Sequence, residues 1–245
     1  MSNTYDYIIV GSGTAGPVIA TRLSEDPNTS VVMLEAGREN SKEGMYYANG
    51  VGQMWQGETN WGYSSTPQQG LNGRTIMQPR GKLIGGSAAI NVGSWSRGAA
   101  ANYDSWNLKG WEWDTVLQWY LKIEASDRGA NEFRGGSGPM KLETTPKGTY
   151  LTQVFKQACI ETGIGFTDDL NGEYNEGFDV WQSIFKNGRR HNTVVNYLDH
   201  ARTRSNLTIE TDAFVSKIVI ENGVAVAVEY SQDNMTHELQ VMNTV

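Results

Sequence analysis

The sequence predicts an α/β protein organised on a parallel sheet. Three observations carry this: a short β-branched run that ends in glycines, a helical pattern directly after it, and a second apolar run closed by an acidic residue. The first run is Tyr5-Asp6-Tyr7-Ile8-Ile9-Val10, short and apolar enough for a strand buried on both faces. It leads straight into Gly11-Ser12-Gly13-Thr14-Ala15-Gly16. Ala15, Val18, Ile19 and Leu23 then recur at helical spacing, and Pro17 is harmless because the first turn of a helix has no use for that amide hydrogen. The chain turns at Asp26-Pro27-Asn28 and re-enters a strand at Ser30-Val31-Val32-Met33-Leu34, which ends at Glu35-Ala36-Gly37. A strand, a glycine turn, a helix and a second strand make the Rossmann-like unit that binds dinucleotides.

The glycines of that turn have separate tasks. Gly11 lets the chain turn sharply, Gly13 leaves room for backbone to approach a pyrophosphate, and Gly16 lets the helix close on the strand. The helix start offers free amide hydrogens and the positive end of its dipole to the anion. Glu35 lies nineteen residues beyond Gly16, where an acidic residue accepts hydrogen bonds from a ribose diol and repels a 2'-phosphate. The pattern does not choose between FAD and NAD.

Composition bounds the rest. With 38% hydrophobic and 19% charged residues in 245, the chain is that of a globular protein of one large or two interleaved domains. Twenty basic against 27 acidic residues leave a net charge of −7, which argues against a nucleic-acid partner. No apolar run approaches the roughly twenty residues of a membrane span, and no signal peptide is read at the N-terminus. The single Cys159, in a helical pattern with an apolar face, reads as a packed, unreactive thiol, and no Cys and His cluster is spaced for a metal. A cytoplasmic location is expected. Triplets at Asn28, Asn206 and Asn234 have the glycosylation pattern, which matters only in a secreted chain.

After a polar loop at Arg38–Gly44, the chain is irregular around Trp55, Trp61 and Tyr63. A second glycine cluster follows, Arg80-Gly81-Lys82-Leu83-Ile84-Gly85-Gly86-Ser87-Ala88-Ala89-Ile90-Asn91. It fits equally a backbone cradle for a flat or anionic ligand and an ordinary turn before a helix. Trp106, Trp111, Trp113, Val116, Leu117, Tyr120 and Leu121 predict a helix whose aromatics belong to the core. Gly135–Pro139 is a loop before a short strand at Met140-Lys141-Leu142. Phe214–Ile220 and Val224–Tyr230, joined across Glu221-Asn222-Gly223, predict a hairpin, since Asn-Gly accepts the positive φ of a tight turn.

Taken together, these motifs resemble the glucose-methanol-choline (GMC) family of FAD-dependent oxidoreductases. The residues that carry the likeness are Asp6–Gly16 with Leu34–Gly37, Asn60-Trp61-Gly62-Tyr63 with Thr66-Pro67-Gln68, the stretch Gly81–Asp104, Gly188–Thr193 before Tyr197-Leu198, and Asn206–Ile209 with Ala213-Phe214-Val215. The resemblance implies a Rossmann-like FAD-binding domain with an added antiparallel β-meander, plus part of an α+β substrate domain. Residues 1–145 and 200–245 would form the discontinuous, incomplete FAD domain and 146–199 part of the substrate domain. It implies cofactor contacts from Gly11, Gly13, Thr14, Ala15 and Gly16, from Glu35 and Ala36, from Arg80, Gly81, Gly86, Ser87, Asn91, Val92 and Gly93, and a backbone contact to adenine from Val215. Val92, in the family position beside flavin N5, would limit access to the flavin.

Two positions depart from the family pattern: Ala88 replaces a Ser or Thr after the glycine pair, and Asn192 replaces a Ser. No His or Cys lies between Arg80 and Asn91, so a non-covalent FAD is expected. The resemblance further implies oxidation of a small-molecule alcohol by hydride transfer to flavin N5. Its catalytic His pair is expected on a C-terminal part or a second chain, since His191, His200 and His237 each read as exposed or structural. No catalytic residue is assigned within this chain. The competing expectations are a flavin-dependent lyase or decarboxylase of the same family and a non-catalytic FAD-binding subunit of a split enzyme.

Overall fold

The computed structural model describes residues 3–39, 47, 50–145 and 149–242. Part of the expected loop at Arg38–Gly44, the 145/146 domain boundary and the last three residues therefore lie outside the described residues. Along the chain the elements are β1 (Thr4–Tyr5), β2 (Tyr7–Val10), α1 (Gly16–Leu23), β3 (Val31–Leu34), α2 (Val51–Met54), β4 (Tyr63–Ser64), β5 (Met77–Gln78), α3 (Ser87–Ile90), α4 (Ala100–Asp104) and α5 (Trp113–Ile123). They continue with β6 (Glu124–Ser126), β7 (Met140–Thr144), α6 (Tyr150–Glu161), β8 (Gln182–Ser183), β9 (Phe185–Lys186), β10 (Arg189–Arg190), a π-helical turn at Val194–Leu198, α7 (Asp199–Ala201), β11 (Leu207–Glu210), β12 (Phe214–Glu221), β13 (Val224–Gln232) and β14 (Met235–Val241). Two compact units result: residues 1–92 with 192–245, and residues 93–191. These units divide at 92/93 and 191/192, whereas the sequence led to boundaries at 145/146 and 199/200.

The first unit holds a parallel sheet in the order β11-β3-β2 and an antiparallel meander β12-β13-β14, joined at β14 by β1 in parallel. Side chains of β3 alternate between two cores, as the period of a strand requires. Val31 and Met33 pack with Ala20 of α1 and with Val194, Leu198 and Ala201, while Val32 and Leu34 pack under the meander with Tyr5, Val228, Tyr230 and Leu239.

The expected first strand differs from the observed one in two respects. It breaks at Asp6, whose Oδ2 accepts hydrogen bonds from the Ser30 amide and hydroxyl, both at 2.7 Å, as the chain steps from the β14 edge to the β3 edge. Nor is it buried on both faces: Tyr7 and Val10 are exposed, and among the described residues β2 is an edge strand paired only with β3. The hairpin forms as its turn chemistry dictates, with Asn222 at φ +50° and Gly223 at φ +83°. Asn206 is structural, its Nδ2 donating to the carbonyls of Ser24, Asp26 and Thr29. Asn192 caps the π-helical turn, its Oδ1 accepting from the amides of Val194 and Val195 at 3.1 and 3.3 Å.

The second unit carries α4, α5, α6, a sheet in the order β6-β7-β8 and the β9–β10 hairpin. Its centre is the Glu124 carboxylate, fully buried, which accepts from Trp95 Nε1 at 2.6 Å, Arg97 Nη2 at 2.5 Å, Arg134 Nε at 3.0 Å and Arg134 Nη2 at 3.1 Å. Cys159 is buried in α6 as expected. The aromatic helix is a correction. Trp106 and Trp111 precede α5, are about half exposed, and form a ring cluster with Tyr103 rather than a core; of the named residues only Val116 and Leu117 are buried. Gly110, at φ +87° between Trp106 and Trp111, interrupts the helical path that their spacing predicted.

Candidate functional site: a glycine-lined crevice

In the first unit the turn after β2 is organised by backbone contact. Gly11 adopts φ +87° and donates its amide to the Leu34 carbonyl at 2.7 Å. A Cβ on Gly16 would stand 2.1 Å from the Gly11 oxygen, so α1 can pack here only without a side chain. A Cβ on Gly13, by contrast, would meet nothing within 4 Å. The α1 start has no side-chain cap and no acidic residue in its first turn, which leaves the positive end of its dipole to an anion.

The second glycine cluster rests directly on this turn. Gly86 takes φ +51°, and a Cβ there would lie 2.9 Å from the Gly13 Cα. A Cβ on Gly81 would lie 2.2 Å from the Gly86 oxygen, and the Gly81 amide donates to Ser87 Oγ at 3.2 Å. The ambiguity left by the sequence has a double answer: the cluster is a turn before a short helix, α3, and its backbone also faces open space beside Gly13.

Ser12 ties the parts together. Its amide and hydroxyl donate to Glu35 Oε2 at 2.9 and 2.7 Å, and the Gly85 amide donates to its hydroxyl at 3.2 Å and its carbonyl at 3.0 Å. Glu35 Oε1 accepts the Gly37 amide at 2.9 Å. Three of the roughly four acceptor positions of the carboxylate are thereby used, leaving one on Oε1. Glu35 is thus both the brace of the turn and an acceptor with spare capacity.

Between these loops lies a cleft of about 580 Å³, within the size range of small-molecule sites. Of the residues expected from the sequence, Gly11, Gly13, Glu35, Ala36, Arg80, Gly81, Gly86, Ser87 and Val215 line it. A second recess of about 410 Å³ is lined by Asn91 and Val92 and shares Arg80 and Ser87 with the first. Gly16 lies beneath the turn, Thr14 and Ala15 are exposed beside it, and none of the three lines either recess. Gly93 belongs to the second unit, where a Cβ would lie 2.4 Å from Phe185 Cε2.

The residue-level reading did not assign Ser12, Trp61, Tyr63 or Phe214. Ser12 is a variable position of the glycine motif, so its type alone carried no signal. Trp61 stacks on Tyr63 at 5.9 Å and meets Phe214 edge-on at 6.2 Å, with Lys82 Nζ 4.9 Å from its ring centre, so three aromatic side chains wall the first recess. Their grouping arises from β4 and the start of β12, far apart in sequence. Arg80 exposes its guanidinium and makes no ion pair among the described residues.

The family description "GMC oxidoreductase" matches residues 5–245. An oxygen-dependent choline dehydrogenase of Escherichia coli (strain SMS-3-5 / SECEC) is 40% identical over 95% of this chain and 43% of its own length. Among solved structures, pyridoxine 4-oxidase from "Mesorbium loti" has a TM-score of 0.92 at 27% identity over 97% of this chain and 48% of its own. An FAD-dependent oxidoreductase from Chaetomium thermophilum has a TM-score of 0.88 at 27% identity, over 97% and 44% respectively. The chain spans less than half the length of the curated relatives it matches.

Proposed function

This chain belongs to the GMC oxidoreductase family, and on that premise we propose that it holds the FAD of an enzyme that oxidises a small-molecule alcohol. The observation that carries the reading is the crevice with two recesses meeting at Arg80 and Ser87. Its glycines leave open backbone where a pyrophosphate has to approach, Glu35 retains an acceptor for a ribose hydroxyl, and the uncapped α1 start supplies positive potential.

In this reading Gly11, Gly13 and Gly86 cradle the diphosphate, and Arg80, with no carboxylate partner among the described residues, balances its charge. Glu35 and Ala36 take the adenosine ribose, the Val215 backbone the adenine, and Asn91 and Val92 the ring system. Bound FAD would supply the two-electron acceptor for a hydride leaving the alcohol carbon. Val92, 52% exposed in the second recess, would restrict approach to that ring. The group that takes the hydroxyl proton is assigned outside this chain, on a C-terminal part or a second polypeptide. No described helix is long and apolar enough to cross a membrane. We place the protein in the cytoplasm on its single, buried thiol. An alcohol is favoured as substrate because the relatives are named for choline and pyridoxine oxidation.

Equilibrium dialysis of the chain against FAD tests the proposal. Saturable uptake of one FAD per chain, competed by ADP, is expected; a folded chain that takes up none overturns it.

A further inference from the structure

Beneath the meander, where β1, β11, β13 and β14 converge, lies a hollow of about 260 Å³. It shares no lining residue with either recess of the glycine-lined crevice. The polar groups that line it keep hydrogen-bonding capacity open toward the hollow. Tyr230 is 7% exposed, yet its hydroxyl has no hydrogen-bond partner among the described residues. Its ring stacks on His237 at 5.1 Å, and the His237 imidazole makes no hydrogen bond among them either. The side chain of Glu210 receives only Gln232 Nε2, at 3.4 Å, and the Tyr5 hydroxyl reaches Thr208 Oγ1 at 3.4 Å. Both distances are at the limit of hydrogen bonding. Burial and the nearby Glu210 carboxylate push the Tyr230 phenol above its ordinary value, which agrees with the two groups facing one space.

We propose that this hollow binds a small primary ammonium ion, with Glu210 as its counter-ion and the Tyr230 oxygen and His237 imidazole as further acceptors. The charge of the lining selects the sign, because among the described residues Glu210 is its one charged side chain and no Lys or Arg contributes. The open capacity selects the chemistry: an ammonium carries three donors and no acceptor, matching a carboxylate, a phenol oxygen and an imidazole nitrogen. An anion would face Glu210 without compensation. A quaternary ammonium would bring no N–H to the acceptors.

The test uses the 245-residue chain, ethylammonium chloride as the probe, and the His237 ring Cε1–H resonance, assigned with His237→Gln. A saturable shift is expected with ethylammonium and none with sodium chloride at matched ionic strength. Glu210→Gln and Tyr230→Phe should each weaken binding about tenfold or more, since each removes an acceptor from a charged donor. Tyr230→Phe keeps the ring packing, so it carries the test should Glu210→Gln fail to fold. A shift identical to that in sodium chloride would mean that the hollow holds water alone and overturns the proposal. So would equal affinity in both variants, or equally tight binding of tetramethylammonium.

Discussion

The Ser12 hydroxyl stands 2.7 Å from Glu35 Oε2, both side chains buried. This contact joins the glycine turn to the end of the second strand, and the Gly85 amide, donating to the same hydroxyl, adds the second glycine loop. One small side chain therefore sets the spacing of three backbone segments that form the cleft. Removing it leaves the buried carboxylate with one donor fewer and the Gly85 amide with only the Ser12 carbonyl. Ser12→Ala is expected to lower the unfolding free energy by about 1–3 kcal/mol in urea titration, the cost of an unmade buried hydrogen bond. FAD affinity should fall with it, because the loops that Ser12 ties together are the ones proposed to hold the diphosphate. Unchanged stability would show that the contact is dispensable.

FAD should leave the protein intact. The second recess is lined by Arg80, Ser87, Asn91 and Val92 together with Trp55, Met77, Pro79 and Ile90, none a customary point of attachment, and Cys159 is buried in the other compact unit. Acid precipitation of FAD-loaded chain should put all of the yellow colour in the supernatant, with the polypeptide at its unmodified mass. A mass increase equal to the flavin would refute the non-covalent assignment.

How much of this was legible beforehand depended on whether a feature is local. Gly11 to Gly37 reads clearly because strand, turn, helix and strand follow one another, and each residue type has a steric task within a few positions. The Asn222-Gly223 hairpin is local in the same sense. Asp6 breaking the first strand was not legible, because its partner, Ser30, lies 24 positions away. The exposed Trp106 and Trp111 misled for a related reason: aromatic content signals burial on average, while exposure is decided by what packs against the segment. The Trp61, Tyr63 and Phe214 wall and the Ser12 brace likewise exist only once distant segments meet.

The buried network of the second unit offers a stability prediction independent of any ligand. Arg97 and Arg134 have side chains 1% or less exposed, and both donate to Glu124, which is fully buried. Glu124→Ala strands two guanidinium groups in a low-dielectric interior, with Asp169 remaining beside Arg134 alone. Removing one partner of a buried ion pair costs about 3–5 kcal/mol. A melt of the variant should therefore show early loss of Trp95 fluorescence environment, since Trp95 Nε1 also donates to Glu124. Retention of the wild-type melting profile would mean that water enters and solvates the network.

The sharpest separation of folding from binding comes from two glycines three positions apart. At Gly16 a methyl group would stand 2.1 Å from the Gly11 carbonyl oxygen, which is backbone and cannot swing aside. Gly16→Ala must push α1 away from β2, disturbing the core that Ala20 shares with Val31 and Met33, and overpacking of this kind costs about 1–3 kcal/mol. At Gly13 the same methyl would enter empty space in the cleft, and its φ is not one that disfavours a side chain. Gly13→Ala should keep the wild-type urea midpoint, within the roughly 0.5 kcal/mol typical of harmless substitutions. Its FAD affinity should nevertheless fall by about tenfold or more, a loss of ~1.4 kcal/mol, because the methyl occupies the position assigned to the diphosphate. The pair thus dissociates in opposite directions: one variant is unstable for steric reasons internal to the fold, the other stable but poor at uptake. If Gly13→Ala bound FAD as tightly as the parent chain, the diphosphate would have to lie elsewhere in the crevice, and the roles given to Gly86 and Arg80 would have to move with it.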